Sequence, residues 1–267
     1  MAKGLICAGG EATRLGELTR ITNKHLLPVG EWPMVYYSLA LLQAAGIREV
    51  LIVTGQNHAG DFIDLLGDGH TPTRDGQPLF DLDITYKVQT QAGGIAQVVA
   101  MAEGFAGGEK LVVCLGDNIF EYAEVDAIAQ FANEQETGAK IFLKEVPDPE
   151  RFGVPQFNDD GEIIDLIEKP VLLDKRFTEA PSNLAVVGLY CFDADVYDII
   201  RTLEPSARGE YEITDVNRAY MERGDLTHAT VSGWWRDAGT FESLSDIGKL
   251  IAETGSNKVR DTARAGA

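Results

Sequence analysis

KGLICAGGEATRLGELTRITNK, residues 3–24, is the stretch from which the fold is read. The short apolar run Leu5-Ile6-Cys7-Ala8 predicts a buried strand that breaks into Gly9-Gly10. Arg14 follows, and Lys24 comes ten residues later. Glycine lets a backbone approach an anion closely, loop amides form an anion-binding nest, and Arg and Lys neutralise charge. Such a loop suits a polyphosphate, although Gly-Gly after a strand also fits an ordinary glycine-rich turn. G-x-x-x-x-G-K-[ST] and G-x-G-x-x-G are both missing, so neither a P-loop ATPase nor an NAD enzyme is supported.

Outward from this stretch, apolar β-rich runs alternate with helical patterns. Strands are expected at Leu5–Ala8, Val50–Thr54, Ile84–Val88 and Leu111–Leu115, and helices near Pro33–Ala45, Ala59–Leu66 and Gly94–Ala102. This alternation implies crossover connections and an α/β sandwich of three layers, with helices on both faces of a mostly parallel sheet. Ligands in such a sheet bind at the carboxyl ends of the strands, where Asp117 follows LVVCL directly. Gly67 to Leu82 reads as a loop without a chemical role.

After Thr137 the pattern turns to shorter strands, with Asn158-Asp159-Asp160-Gly161 as the turn of a hairpin. Ala185–Phe192 is a further strand, and Ile213–Arg223 and Thr240–Glu253 are helices. No linker divides residues 1–254, which are expected to form a single domain, and the polar tail 255–267 is expected to fray.

The formal charge of −19, from 23 Lys+Arg against 42 Asp+Glu, excludes nucleic acid as a general partner. It leaves room for a phosphate-bearing small molecule, because screening beyond about 8 Å hands control of a site to its local cations. No apolar stretch approaches a membrane span, and no leader pattern opens the chain, so a cytoplasmic protein is expected. Cys7, Cys114 and Cys191 sit inside apolar runs without C-x-x-C spacing and read as buried, reduced thiols. His25, His58, His70 and His228 are scattered; His25, beside Lys24, reads as a surface or packing residue.

Asp117 and Asp237 are candidates for the two carboxylates of a Mg²⁺ site, with waters and substrate phosphates completing an octahedron. Either one alone, beside glycine, is also a turn residue or helix cap.

GGEATRL, Lys24, PMVYYSL, Gln89 with GGIAQ, GDN (116–118), RFGV (151–154), EKP (168–170), GLY (188–190), PSARGEYEITDVN (205–217) and WRDAGT occur in that order. Together they resemble the bacterial sugar nucleotidyltransferases, and among them the short-form thymidylyltransferases acting on glucose 1-phosphate. The resemblance implies a Rossmann-like central sheet of the nucleotide-diphospho-sugar transferase type, with a small β-rich sugar-binding part. Residues 1–137 would be the nucleotide half and 138–254 the sugar-binding and metal-completing half.

It also implies a condensation in which a phosphate oxygen of glucose 1-phosphate attacks the α-phosphorus of dTTP and pyrophosphate leaves. By resemblance, Asp117 and Asp237 hold Mg²⁺, Arg14 with Gly9, Gly10 and Thr13 takes the triphosphate, and Lys24 faces the α-phosphate. Gln89 and Gly94 take the base: the Gln89 amide offers one donor and one acceptor in a plane, matching the O4 acceptor and N3–H donor of thymine or uracil, and Gly94 lets the backbone come close beside it. Lys169 binds the sugar phosphate, Glu168 accepts from sugar hydroxyls, and Asn118, Gly153, Val186 and Tyr190 lie near the sugar. Glu168-Lys169 alone could be a solvated strand-end pair, and Tyr190 and Trp235 could be plain core aromatics. Relatives assemble as dimers or tetramers, so a homo-oligomer is expected.

Departures from the family pattern are Glu11, Ala12 and Glu17 in the phosphate loop, Phe152 in place of a common tyrosine, and a short chain after Asp237. Uridylyl transfer from UTP and a non-catalytic nucleotide-sugar-binding regulator are the rival readings. Gln89 argues against adenine.

Overall fold

The opening apolar run forms β1 (Ala2–Ala8). A computed structural model describes residues 2–10, 13–72, 76–135, 137–174 and 176–259, apart from the side chain of Thr13. After the glycine turn come two 3-10 segments, Thr13–Thr19 and Lys24–Leu26, and a small hairpin of β2 (Pro28–Val29) and β3 (Trp32–Pro33). Helices and strands then alternate as the periodicity predicts: α1 (Met34–Ala44), β4 (Glu49–Gly55), α2 (Ala59–Leu66), β5 (Asp83–Gln89), α3 (Ile95–Met101), α4 (Glu103–Ala106) and β6 (Lys110–Leu115). β7 (Asn118–Phe120) and α5 (Val125–Asn133) follow. The remainder is β8 (Ala139–Glu145), β9 (Gly153–Phe157), β10 (Ile163–Glu168), β11 (Leu184–Phe192), α6 (Val196–Thr202), α7 (Ile213–Glu222), β12 (Leu226–Thr230), β13 (Trp235–Asp237) and α8 (Phe241–Thr254).

The main sheet runs β5-β4-β1-β6-β11-β9-β10, with β8 branching from β11 and β12 pairing with β8. Pairing is parallel from β5 to β6 and again between β8 and β12. β11 is antiparallel to β6 and to β8. Successive β1 residues serve opposite faces, as strand geometry requires. Ile6 packs with Val50, Ile52 and Phe62 on one face, and Leu5 packs with Leu51, Val99 and Val216 on the other. Two cores, one on each face, make the three-layer α/β sandwich that the sequence predicts.

The hairpin turn also falls where expected. Asn158 Oδ1 accepts from the backbone N–H of Asp160 (3.1 Å) and Glu162 (2.8 Å), which bends the chain between β9 and β10. Cys114 and Cys191 are buried, Cys7 is nearly so, and burial pushes all three thiols up. No described helix is long and apolar enough to cross a membrane.

One expectation is corrected at the C-terminus. Fraying was expected from Gly255, yet Asn257 N–H donates to Phe120 O (2.9 Å) and Lys258 N–H to Glu121 O (2.8 Å). Asn257 Nδ2 also reaches Tyr37 O at 2.7 Å, so the chain is tied beside β7 as far as Lys258. Its polar composition hides these backbone bonds, which depend on a distant partner. Residues 260–267 lie outside the described residues.

α8 starts on a reciprocal cap, with Ser243 N–H donating to Thr240 Oγ1 (3.2 Å) and Thr240 N–H to Ser243 Oγ (3.0 Å). Thr240→Ala is expected to cost about 1 kcal/mol. For a chain of this size that lowers the melting temperature by about 2–4 °C. A thermal melt unchanged by the substitution would show that the cap contributes nothing.

Candidate active site

Strand ends deliver the candidate residues to one cleft of about 350 Å³. Gln89 closes β5, Gly9 and Gly10 follow β1, and Asp117 follows β6. β11 contributes Val186 and Tyr190, β9 contributes Gly153, and Glu168 and Lys169 stand at the end of β10. Strand pairing aligns the last group, because Gly153 is opposite both Glu168 and Val186. The order of strands therefore sets the order of chemistry along the cleft, from Gln89 through the glycines and Asp117 to Glu168.

Asp237 reaches this row through a second, two-stranded sheet. β13 pairs with β7 so that Asp237 stands opposite Asn118, and Ala238 N–H donates to Asp117 O at 2.8 Å. Asp117 is buried and bonded through Oδ2 to Lys24 Nζ, itself buried. Burial alone would raise the Asp117 carboxyl, but the adjacent ammonium holds it well below the usual carboxylate range. Asp237 goes the other way. Burial and the charge of Asp117 push it up to about 6, against the pull of Lys24 and Arg14.

Asn118 organises this centre. Its Oδ1 accepts from Gly188 N–H (2.9 Å) and Trp235 Nε1 (2.7 Å), while its Nδ2 donates to Asp117 Oδ1 (3.0 Å). Trp235 is thus a core aromatic, edge-on to Phe152 at 5.2 Å, and also a prop for the acidic pair. Lys24 is held by its own turn, in which Asn23 Nδ2 donates to Ala8 O (3.1 Å) and Asn23 Oδ1 accepts from His25 N–H (2.9 Å). His25 is buried and its imidazole is pushed down to about 3 by burial and then by Lys24, so it packs there as a neutral ring.

Two carboxylates fit what Mg²⁺ takes from a protein when water and substrate oxygens supply the rest. Among the described residues no third Asp, Glu, His or Cys completes an all-protein cage. The opposed pressures on Asp117 and Asp237 are those of two adjacent anions, one buried and one half-buried, that a shared dication would relieve. Arg14 lies exposed at the rim, near Gly239 and Asp237. Glu17 stays outside the cleft and pairs with Arg20 at 3.1 Å, both exposed. Glu11, Ala12 and the side chain of Thr13 lie outside the described residues.

At the other end Glu168 is no solvated pair. Its Oε2 accepts from Thr214 Oγ1 (2.6 Å), and its Oε1 faces Lys169 Nζ (3.4 Å) and Arg208 Nη2 (3.5 Å). Arg208 is in turn gripped by Glu212, with Nη2 at 2.8 and 2.9 Å from its two oxygens. Lys169 has φ 45°, a left-handed conformation costing about 1–2 kcal/mol, fixed by its N–H donating to Phe152 O (2.9 Å). Tyr190 is buried and stacked on Phe192 (centroids 6.0 Å), with its phenol pushed up by burial.

Arg208, Glu212 and Thr214 received no role from sequence, although the motif at 205–217 contains them. The packing of α7 on β10 brings Thr214 to Glu168, and the loop that leads into α7 brings Arg208. The same segment reaches the far end: Tyr211 N–H donates to Gly93 O (2.9 Å), and Ala96 N–H to Tyr211 O (3.3 Å). Gly94, at φ 90°, permits this approach, since a Cβ there would lie 2.4 Å from Tyr211 O.

Known proteins resemble this chain over nearly its whole length. A family model described as nucleotidyl transferase matches residues 3–254. The glucose-1-phosphate thymidylyltransferase of Xanthomonas campestris pv. campestris (strain B100) is 41% identical over 253 residues, 93% of this chain and 80% of that protein. The enzyme of the same name from Neisseria meningitidis serogroup A is 39% identical over 251 residues, 93% of this chain and 82% of its own. A crystal structure described as a glucose-1-phosphate thymidylyltransferase from Bacillus anthracis, in complex with a sucrose, superposes with a TM-score of 0.84 at 44% identity, covering 94% of this chain and 95% of that one. With an open α/β sheet, a paired-aspartate centre at its strand ends and a family match over nearly its full length, the chain belongs to the nucleotidyl transferase family.

Proposed function

We propose that the protein transfers a deoxythymidylyl group from dTTP to glucose 1-phosphate with Mg²⁺, giving dTDP-glucose and pyrophosphate. The relatives' activity supports this reading. The observation that carries it is the order of groups along a single cleft, in which the Gln89 amide, a glycine turn, an acidic pair with a lysine, and a polar end at Glu168 follow one another. Residues up to about 137 would serve the nucleotide, and those from 138 to 254 the sugar and the second metal ligand.

The acceptor needs no general base, because the second pKa of a phosphate monoester is near 6 and the nucleophile is already largely dianionic at neutral pH. The barrier lies in bringing two anions into line, so positioning and charge neutralisation supply most of the catalysis. Mg²⁺ held by Asp117 and Asp237 would supply Lewis-acid neutralisation at the α-phosphoryl group. Lys24, buried beside Asp117, contributes a fixed positive charge to the same point. Arg14 and the turn at Gly9-Gly10 would receive the departing pyrophosphate. Glu168, oriented by Thr214 and Arg208, would accept from sugar hydroxyls while Lys169 meets the sugar phosphate.

Purified protein with Mg²⁺, dTTP and glucose 1-phosphate is expected to release pyrophosphate and form dTDP-glucose. A larger kcat/KM with UTP would reassign the nucleotide. No turnover with either would point to the binding-only reading.

A further inference from the structure

Asp237 reaches Asp117 on a sheet too small to stand by itself. β7 and β13 have three residues each and pair at Phe120–Trp235, Ile119–Arg236 and Asn118–Asp237. An isolated two-stranded sheet is at best marginally stable in water, so this one depends on ties at its ends. At the cleft end the Trp235 Nε1–Asn118 Oδ1 bond supplies one. At the other end Glu121, which does not line the cleft, stands opposite Trp234, one step beyond Phe120–Trp235. In a regular antiparallel ladder such a pair exchanges both backbone bonds. Here Glu121 N–H donates to Trp234 O (2.9 Å), but Glu121 O accepts from Lys258 N–H (2.8 Å) instead. The side chain makes good the missing bond, because Glu121 Oε2 accepts from Trp234 N–H at 3.0 Å. Its Oε1 accepts from Lys258 Nζ (2.5 Å), and only 14% of the side chain is accessible. Gly233, at φ 61°, makes room for the carboxylate, since a Cβ there would lie 2.7 Å from Glu121 Cδ.

We propose that Glu121 is a positioning residue for the metal centre, its carboxylate standing in for a rung of the β7–β13 ladder and so keeping Asp237 beside Asp117. The inference rests on the reading of Asp237 as a Mg²⁺ ligand. A metal that needs both carboxylates binds only the molecules in which β13 is in register, and its apparent affinity falls with that fraction. Without the Glu121 side chain, Trp234 N–H loses its protein acceptor and Lys258 loses the carboxylate that ties the C-terminal segment to the end of β7. The last rung then opens and the fraction drops. Glu121 touches neither Asp117 nor the cleft, so its effect passes through the strands alone.

Mn²⁺ affinity by calorimetry and backbone amide exchange by mass spectrometry are measured on wild type, Glu121→Ala, Gly233→Ala and Asp237→Asn. Asn158→Ala, which removes the acceptor of the β9–β10 turn, serves as a destabilising change outside β7 and β13. Glu121→Ala is expected to weaken Mn²⁺ binding about fivefold or more, the scale of one hydrogen bond. It is also expected to speed exchange at residues 235–238 while β1, β4 and β6 exchange as in wild type. Gly233→Ala keeps the carboxylate but drives it from its place, and is expected to do the same. Asn158→Ala is expected to lower the melting temperature and leave both readings at wild type. Wild-type exchange at 235–238 in both Glu121→Ala and Gly233→Ala would overturn the positioning role. So would Mn²⁺ affinity within about twofold of wild type in those variants, or an equal weakening in Asn158→Ala. Wild-type Mn²⁺ affinity in Asp237→Asn is a separate result, which would remove Asp237 from the metal and the proposal with it.

Discussion

Replacing Lys24 by Met is expected to destabilise the protein by about 3–5 kcal/mol and to lower turnover by 10²-fold or more. The ammonium and the Asp117 carboxylate are both buried, each with under an eighth of its side chain accessible at 11% and 12%. In such surroundings the loss of one partner leaves the other charge without water or counter-ion, and this penalty exceeds what the pair itself contributes. At about 2–4 °C per kcal/mol, melting should fall by roughly 6–20 °C. A second substitution tests the cause. The double variant Lys24→Met, Asp117→Asn removes both charges and should recover much of the melting temperature while remaining inactive. If Lys24→Met melts as wild type does, the two groups are not the desolvated pair described.

Asp117→Asn and Asp237→Asn are each expected to reduce turnover by about 10²-fold or more, since an amide cannot replace a carboxylate in holding Mg²⁺ against a developing phosphoryl charge. Their effects on stability should differ in sign. Asp117→Asn strands the Lys24 charge and should lower melting in EDTA. Asp237→Asn removes one of two repelling anions from a half-buried place, so in EDTA it should melt at or above wild type. Calorimetric titration with Mn²⁺ should show weakened binding in both. Near-wild-type turnover and metal affinity in the two variants would remove these residues from the centre.

The gathering of many candidate residues along one cleft was legible in the sequence because residues next to a well-marked strand inherit its position. Gly9, Gln89 and Asp117 each follow a run whose periodicity identifies it, and strand ends are where an open α/β sheet binds ligands. Glu168 and Lys169 follow β10, announced by the Asn158–Gly161 turn. The same logic fails where the partner is remote in sequence. Thr214 reaches Glu168 through the packing of α7 on β10, and Arg208 through the loop that leads into α7. Residues 255–258 show the same limit, since polar composition predicts fraying and a backbone partner at Phe120 and Glu121 cancels it.

Local pattern, then, was enough to establish the layered α/β sheet, the glycine turn after β1 and the individual acidic and basic candidates, because strand and helix periods, turn residues and charge are written in neighbouring positions. The joining of Asp237 to Asp117, expected from the family resemblance, has no local pattern behind it and is made by folding. β7 and β13 have three residues each, too few to carry a period, and the Trp235–Asn118 bond between them spans 117 positions. Only the assembled core places those two short strands side by side, and with them the two carboxylates proposed to hold Mg²⁺.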